Sequence, residues 1–260
     1  VIIAVLQMQP APALPAENFA RIRSAALAAR AAGASLLVTP ELSLTGYAIG
    51  EDLARLAEPA DGPLLQRLRA LAVETELDIV AGFPERDGAL VYNSAALVRA
   101  AGLTICRKCH LFGAAERTWF TPAAQPSPLV KVGGLTAALM ICYDVEFPEL
   151  ARRHTLAGAE LLVVPTALPG SPGQARVSEV LVPARALENH VFIAYAGLCG
   201  QERGLRYAGG SVIVGPDGID LARAGAGETL LITRIDPAAR AAAHDENPYF
   251  ADRRPDLYAS

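Results

Sequence analysis

The sequence predicts a layered α/β fold with mixed sheets, and three observations carry that expectation. Strand and helix signals alternate from the first residue to about residue 190. The strand-length apolar runs, such as residues 1–6 and 161–164, lack the strict polar alternation of a half-exposed sheet, so they suit strands covered on both faces. Several later strands come in hairpin-like pairs, which adds antiparallel neighbours to the parallel ones.

Taken in order, residues 1–8 read as a strand. Residues 15–32 are Ala-rich with helical spacing and stop at Gly33. Residues 35–39 form a short apolar strand ending at Pro40-Glu41, and 62–76 are helical. Residues 78–83, 90–99 and 103–107 read as strands. Residues 135–141 form another, followed by a helix over 147–157, a strand over 160–165 and a helix over 174–188. Strands over 190–196, 210–215, 219–224 and 229–235 are separated by turn signals such as Pro216-Asp217-Gly218. Gly133-Gly134 reads as a hairpin turn.

Two internal echoes suggest similar halves. G-A-S-L-L-V-T-P (33–40) resembles G-A-E-L-L-V-V-P (158–165), each closing a helix and opening a buried strand. N-S-A-A-L-V (93–98) and G-S-V-I-V (210–214) form a weaker pair. Any helix–Gly–strand joint could produce the first echo, so the halves stay open at this point. Neither reading needs a linker, and residues 1–260 are expected to form a single domain.

Composition excludes several classes. With 52% hydrophobic and 19% charged residues the chain is not disordered. A net charge of −4 with scattered basic residues offers no face for nucleic acid. No apolar run approaches the ~20 residues a membrane span requires. Four cysteines at 106, 109, 142 and 199 do not make a secreted disulfide framework in a chain this long. They fit a reducing cytoplasm, where a special cysteine is more often catalytic.

Cys142 ends an apolar strand just before a helix that carries Pro148 in its first turn. There, backbone N–H groups can stabilise an oxyanion, and the helix N-terminus is expected to lower the thiol pKa. A buried structural cysteine is the competing reading. Glu41, in T-P-E-L-S-L-T-G-Y (39–47), could be a general base with a raised pKa; alone it reads better as an exposed helix-start residue. Lys108, in R-K-C-H-L-F (107–112), could stabilise an oxyanion; alone it reads as a surface cation. Glu116, eight residues on, could pair with it. Cys106 and Cys109 make a C-x-x-C, but no second pair exists, and no metal site is expected.

The order of these segments is more specific than any one of them. A Glu after a first αβ unit, a Lys in R-K-x-H-L-F and a Cys in I-C-Y-D-x-x-F-P-E together resemble the nitrilase superfamily of carbon–nitrogen hydrolases. The likeness covers nearly the whole chain. P-A-R-A-L-E-N (183–189) resembles the family's A-R-A-x-E-N helix, and residues 210–218 its late hairpin. The resemblance implies a four-layer αββα sandwich with two mixed sheets, pseudo-twofold halves and homodimerisation. It places the catalytic Glu, Lys and Cys on Glu41, Lys108 and Cys142, and a second Glu on Glu116. The backbone N–H of Tyr143 would join Lys108 at the oxyanion. No metal or organic cofactor is implied. Family members often have Tyr where Cys106 stands and Arg where Glu146 stands, which bears on substrate choice.

Within the superfamily the chain most resembles bacterial aliphatic amidases such as 5-aminopentanamidase and the stereoselective amino-acid-amide amidases. N-Carbamoyl amino acid hydrolases carry basic residues shortly after the Cys; here those positions are Val145 and Glu146. A carboxylate at the mouth favours a neutral or cationic substrate, unless Glu146 caps or pairs with a helix instead. The expected reaction is hydrolysis of a small aliphatic primary amide, plain or amino-bearing, to acid and ammonia. The alternatives are a nitrilase, an N-carbamoyl hydrolase and, from another class, a non-catalytic binding protein.

Overall fold

The computed structural model describes residues 1–258. Its strands are β1 (Ile2–Gln7), β2 (Leu36–Val38), β3 (Asp78–Asp87), β4 (Leu90–Arg99), β5 (Gly102–Arg107), β6 (Val130–Val132), β7 (Leu135–Leu139), β8 (Leu161–Thr166), β9 (Phe192–Gly197), β10 (Gln201–Glu202), β11 (Leu205–Arg206), β12 (Val212–Val214), β13 (Asp220–Arg223) and β14 (Thr229–Arg234). Two six-stranded sheets form, ordered β14-β1-β2-β3-β4-β5 and β13-β12-β9-β8-β7-β6.

The sheets repeat one plan. Beginning at β14 in one and β6 in the other, the pairings run antiparallel, parallel, parallel, antiparallel, antiparallel. On this correspondence β2 matches β8, and β4 matches β12. Those are the strands that carry the two sequence echoes, so the pseudo-twofold halves are real.

Alternation along each strand builds the layers. Ile3, Val5, Leu36, Val38 and Val80 of the first sheet meet Leu139, Leu161, Val163, Phe192 and Ile213 of the second in a buried core between the sheets. Ala4, Leu6, Leu37, Ile79 and Phe83 point the other way, onto the helices Pro15–Ala31 and Pro63–Thr75. Leu162, Val164, Ile193 and Val214 likewise face the helices Pro148–Leu156 and Val182–Asn189. The result is the αββα sandwich. No helix among the described residues is long and apolar enough to cross a membrane.

Three elements differ from the sequence expectation. β3 runs on to Asp87 through Pro84-Glu85-Arg86, past the expected end at residue 83. The buried Glu85 carboxylate is held by Arg107 (Nη2 2.6 Å, Nε 2.8 Å) and by Ser94 Oγ (2.7 Å), which makes a polar strand stable. The helix expected over 174–188 is interrupted by a π-helical turn, Val177–Leu181. Pro183, just beyond, has no N–H to donate to the preceding turn. The strand expected to reach Ile141 stops at Leu139, shortly before a 3₁₀ turn, Cys142–Glu146.

Candidate active site

The candidate residues lie where the strands end. Glu41 follows β2, Lys108 follows β5, and Cys142 follows β7. Glu41, Lys108, Glu116 and Cys142 are 0%, 1%, 3% and 8% exposed. The exposed helix-start reading of Glu41 and the surface-cation reading of Lys108 are therefore both wrong.

Glu41 sits in a tight turn, Leu42 adopting φ +49°. The turn presses on β3 at Gly82, where a Cβ would overlap the Leu42 nitrogen and the Pro40 carbonyl oxygen. Leu44 N donates to Gly82 O at 3.0 Å, locking the approach. Lys108 extends the β4–β5 pairing by one residue, its N–H donating to Asn93 O at 2.9 Å. Asn93 Nδ2 donates to Glu41 Oε1 at 2.7 Å. One asparagine thus aligns the backbone of one candidate with the carboxylate of the other.

Lys108 Nζ reaches Glu41 Oε1 and Glu116 Oε1, both at 2.7 Å. Glu116, in the short helix Gly113–Trp119, also accepts from Tyr47 OH (2.8 Å) and from Phe112 N (2.8 Å). Glu41 Oε2 is buried without a hydrogen-bond partner among the described residues. Burial raises the pKa of Glu41, opposed by the Lys108 charge and assisted by that of Glu116. Burial alone would depress Lys108, but Glu41, Cys142 and Glu116 together hold it above its ordinary value, so it stays charged.

Cys142 has φ +47°, a strained conformation for a side chain other than glycine, and one that recurs at functional sites. Its thiol pKa is pushed up, first by burial and next by Glu41; Lys108 and a hydrogen bond from the Ala167 backbone act in the other direction. The expectation of a thiol acidified by a helix N-terminus is overturned. The helix starts at Pro148, as expected, but a 3₁₀ turn, Cys142–Glu146, separates its N-terminus from the thiol, and desolvation outweighs the nearby cation. Burial first, and the Glu41 carboxylate next, both favour the protonated thiol.

Asp144, which the sequence reading passed over, holds this turn. Its Oδ2 accepts from Ile141 N (3.0 Å), and its Oδ1 from His110 N (2.9 Å) and the His110 ring at 2.8 Å. The Cys142 turn is thereby tied to the segment that follows Lys108. Asp144→Ala leaves these donors without a partner, at about 1–3 kcal/mol for each that stays buried. We expect a lower unfolding midpoint and a kcat loss of about tenfold or more from misalignment, read by denaturant titration and steady-state kinetics.

Arg185, in the P-A-R-A-L-E-N segment, donates to the carbonyls of Val145 (Nε, 3.1 Å) and Glu146 (Nη2, 2.9 Å) and so anchors the far end of the turn. The Glu146 side chain makes no ion pair among the described residues, contrary to the helix-pairing alternative. It is half-buried, and burial raises its pKa against the pull of Lys108 and Arg185. Tyr143 packs edge-on to Phe112 (5.2 Å) and Phe147 (4.9 Å), and Phe147 stacks on His110 at 3.8 Å. Cys106 and Cys109 do not converge: Cys106 packs between the sheets, and Cys109 against the outer core of the second sheet. No group of His, Cys, Asp and Glu suited to a metal occurs among the described residues.

Asn93 and Tyr47 were also missed. The signal for Asn93 was a polar residue opening an otherwise apolar run in β4; nothing local marks Tyr47, whose partner lies 69 positions away.

Comparison with known proteins gives a consistent picture. A family model described as carbon-nitrogen hydrolase matches residues 2–245. A hydrolase in the pqqF 5'region of Pseudomonas protegens is 43% identical over 98% of this chain and 90% of its own length. An (R)-stereoselective amidase of Pseudomonas sp. is 35% identical over 88% of this chain and 83% of its own. Structures of the amidase from Nesterenkonia sp. AN1 superpose with a TM-score of 0.88 at 36% identity, covering 99% of this chain and 95% of that one. One variant of that amidase carries the acetamide moiety of fluoroacetamide covalently at its active-site cysteine, and another is in complex with butyramide. With the fold, the Glu–Lys–Cys geometry and these likenesses in agreement, the chain belongs to the carbon-nitrogen hydrolase family, as an enzyme of the nitrilase superfamily.

Proposed function

We propose that the chain is an amidase that hydrolyses small aliphatic primary amides, plain or amino-bearing, to the acid and ammonia through a thioester on Cys142. The observation that carries this is the buried Glu41–Lys108–Glu116 ion cluster within electrostatic reach of the Cys142 sulfur. Glu41 takes the thiol proton as sulfur bonds to the carbonyl carbon. Lys108 and the Tyr143 N–H hold the oxyanion. The C–N bond breaks as Glu41 returns the proton to the leaving nitrogen. Glu41 then takes a proton from water, whose oxygen attacks the thioester; the C–S bond breaks, and the thiol recovers its proton. Glu116 keeps Lys108 in place. Splitting the reaction in two is the gain of covalent catalysis.

Three features support a short and uncharged or cationic substrate. A cleft of about 260 Å³, lined by Tyr47, Leu53, Glu116, Trp119 and Leu205 among others, opens beside the cluster. That is below the ~300–1,000 Å³ of pockets for drug-sized ligands. The Glu146 carboxylate, unpaired and within reach of Lys108, disfavours a carboxylate-bearing substrate. The Nesterenkonia amidase, a butyramide binder, points the same way, whereas the amidases among the other relatives act on varied substrates, 2-oxoglutaramate among them. We place the enzyme in the cytoplasm, where its four free cysteines stay reduced. We read residues 1–260 as one catalytic domain that acts as a homodimer; Val180, Leu187 and Ile219 are among its exposed apolar side chains.

The test is ammonia release from butyramide, 5-aminopentanamide, N-carbamoyl amino acids and butyronitrile. Turnover of the amides is expected; a preference for the N-carbamoyl compounds or the nitrile sinks the reading. The same assay run against pH should show kcat/KM falling on acidification with an apparent pKa above the 4.5 of an ordinary glutamate. The sign follows from the role: Glu41 must be ionised to act, and burial lets it take up a proton at a higher pH than an exposed carboxylate does. An acid limb at or below 4.5 counts against Glu41 as the base.

A further inference from the structure

Outside the reacting cluster lies another buried carboxylate, on the two-stranded hairpin β10–β11. Glu202 is 1% exposed. Its Oε2 accepts from the backbone N–H of Tyr47 (3.0 Å), the N–H of Ala48 (2.7 Å) and the hydroxyl of Tyr207. Its Oε1 has no hydrogen-bond partner among the described residues. The approach is close enough that a Cβ on Gly46, at φ +94°, would overlap Oε1. The next residue, Arg203, grips the same loop farther on, donating to Ile49 O (2.7 Å) and pairing with Asp52 (2.7 Å).

A buried carboxylate with no cation beside it is an expensive way to hold a loop. What the loop carries explains it. Tyr47 hands its hydroxyl hydrogen to Glu116 Oε1, the same oxygen that receives Lys108 Nζ. An unbroken path of hydrogen bonds and one residue's covalent frame therefore runs from Glu202 through Tyr47 and Glu116 to Lys108 and Glu41. The hairpin follows β9 in the second half of the chain, whereas the loop it holds belongs to the first half.

We propose that Glu202 is a positioning residue of the amidase site, fixing the Tyr47 backbone so that the Tyr47 hydroxyl keeps Glu116, and through it Lys108, in register with Cys142. The proposal rests on the reading of Lys108 and Glu116 as members of the reacting site. Glu202 neither lines the cleft nor hydrogen-bonds to the cluster, so its loss acts through Tyr47 and lowers kcat, by way of Lys108 alignment, more than it raises KM for a small amide.

The experiment follows butyramide hydrolysis by the full chain carrying Glu202→Asp, Glu202→Gln, Tyr47→Phe, the double change of Glu202→Asp with Tyr47→Phe, and Glu116→Gln. Glu202→Asp keeps the charge but withdraws the carboxylate by about one C–C bond, ~1.5 Å. It is expected to lower kcat about 10- to 100-fold, the scale of an ångström-sized misplacement, while Glu202→Gln, which keeps an acceptor, recovers most of that loss. Adding Tyr47→Phe to Glu202→Asp should cost little more, because both act through one hydrogen bond. A Glu202→Asp enzyme with full kcat beside an inactive Glu116→Gln enzyme overturns the proposal and leaves the site reading standing. Losses from Glu202→Asp and Tyr47→Phe that multiply overturn it too, because Glu202 would then serve the fold alone. Full activity in Glu116→Gln overturns the site reading itself. If Glu202→Asp does not fold, Tyr207→Phe takes its place in the cycle; a smaller loss that vanishes beside Tyr47→Phe supports the proposal, and a multiplicative one overturns it.

Discussion

Cys142→Ala is expected to abolish ammonia release from amides, with kcat down by about 10⁵-fold or more, as for removal of other covalent nucleophiles. The fold should persist. The sulfur is a small group, and alanine takes on the same left-handed backbone that cysteine already tolerates at φ +47°, so stability should move by no more than about 1 kcal/mol. A haloacetamide adduct should map to residue 142 in the unsubstituted protein and be missing there in the variant. Cys109, only half-buried, is the competing thiol, and its pKa is raised by burial to about 11. Retained turnover, or an inactivating adduct that maps to Cys109, overturns the assignment of the nucleophile.

Lys108→Met combines two effects. Loss of an oxyanion donor costs about 10²–10³ in kcat. Lys108 is also the charge that opposes burial at Glu41, so its removal drives Glu41 further toward the protonated form and takes away the base. Two carboxylates then share a buried site with no cation. Breaking such a pair costs about 3–5 kcal/mol, unless protonation relieves it. The direction with pH is fixed: a carboxyl whose folded-state pKa is raised adds stability below its unfolded value and loses it as pH rises through the folded value. Relative to the unsubstituted protein, Lys108→Met should therefore be least stable at about pH 8 and recover toward about pH 5. Denaturant midpoints at the two pH values check this. A deficit independent of pH, or a rate near that of the unsubstituted enzyme, means that Lys108 does not hold this place.

Much of the architecture was legible because strand periodicity and helix-ending glycines are local. The echo at 33–40 and 158–165 marks β2 and β8, which hold matching places in the two sheets. What escaped was stabilised by distant partners. The polar half of β3 depends on Arg107 reaching Glu85, and the hairpin β10–β11 on its grip of residues 47–52. Single-residue reasoning also erred at Glu41 and Lys108, since an isolated charge is cheapest in water. Only the order of the surrounding motifs, matched to a family, argued otherwise.

The sequence by itself determined the alternating layers and the identity and order of Glu41, Lys108, Glu116 and Cys142, because local pattern and motif order are written along the chain; it offered the pseudo-repeat as one of two readings, which the sheet pairings settled. The tertiary structure alone decided that three of these charges share one buried site and that the Cys142 thiol is raised rather than acidified. It also brought Asn93, Tyr47 and Asp144 into hydrogen bonds with these segments, and Glu202 into hydrogen bonds with the Tyr47 loop. Those outcomes depend on desolvation and on hydrogen bonds between residues up to 155 positions apart, and neither quantity exists until the two sheets close on one another.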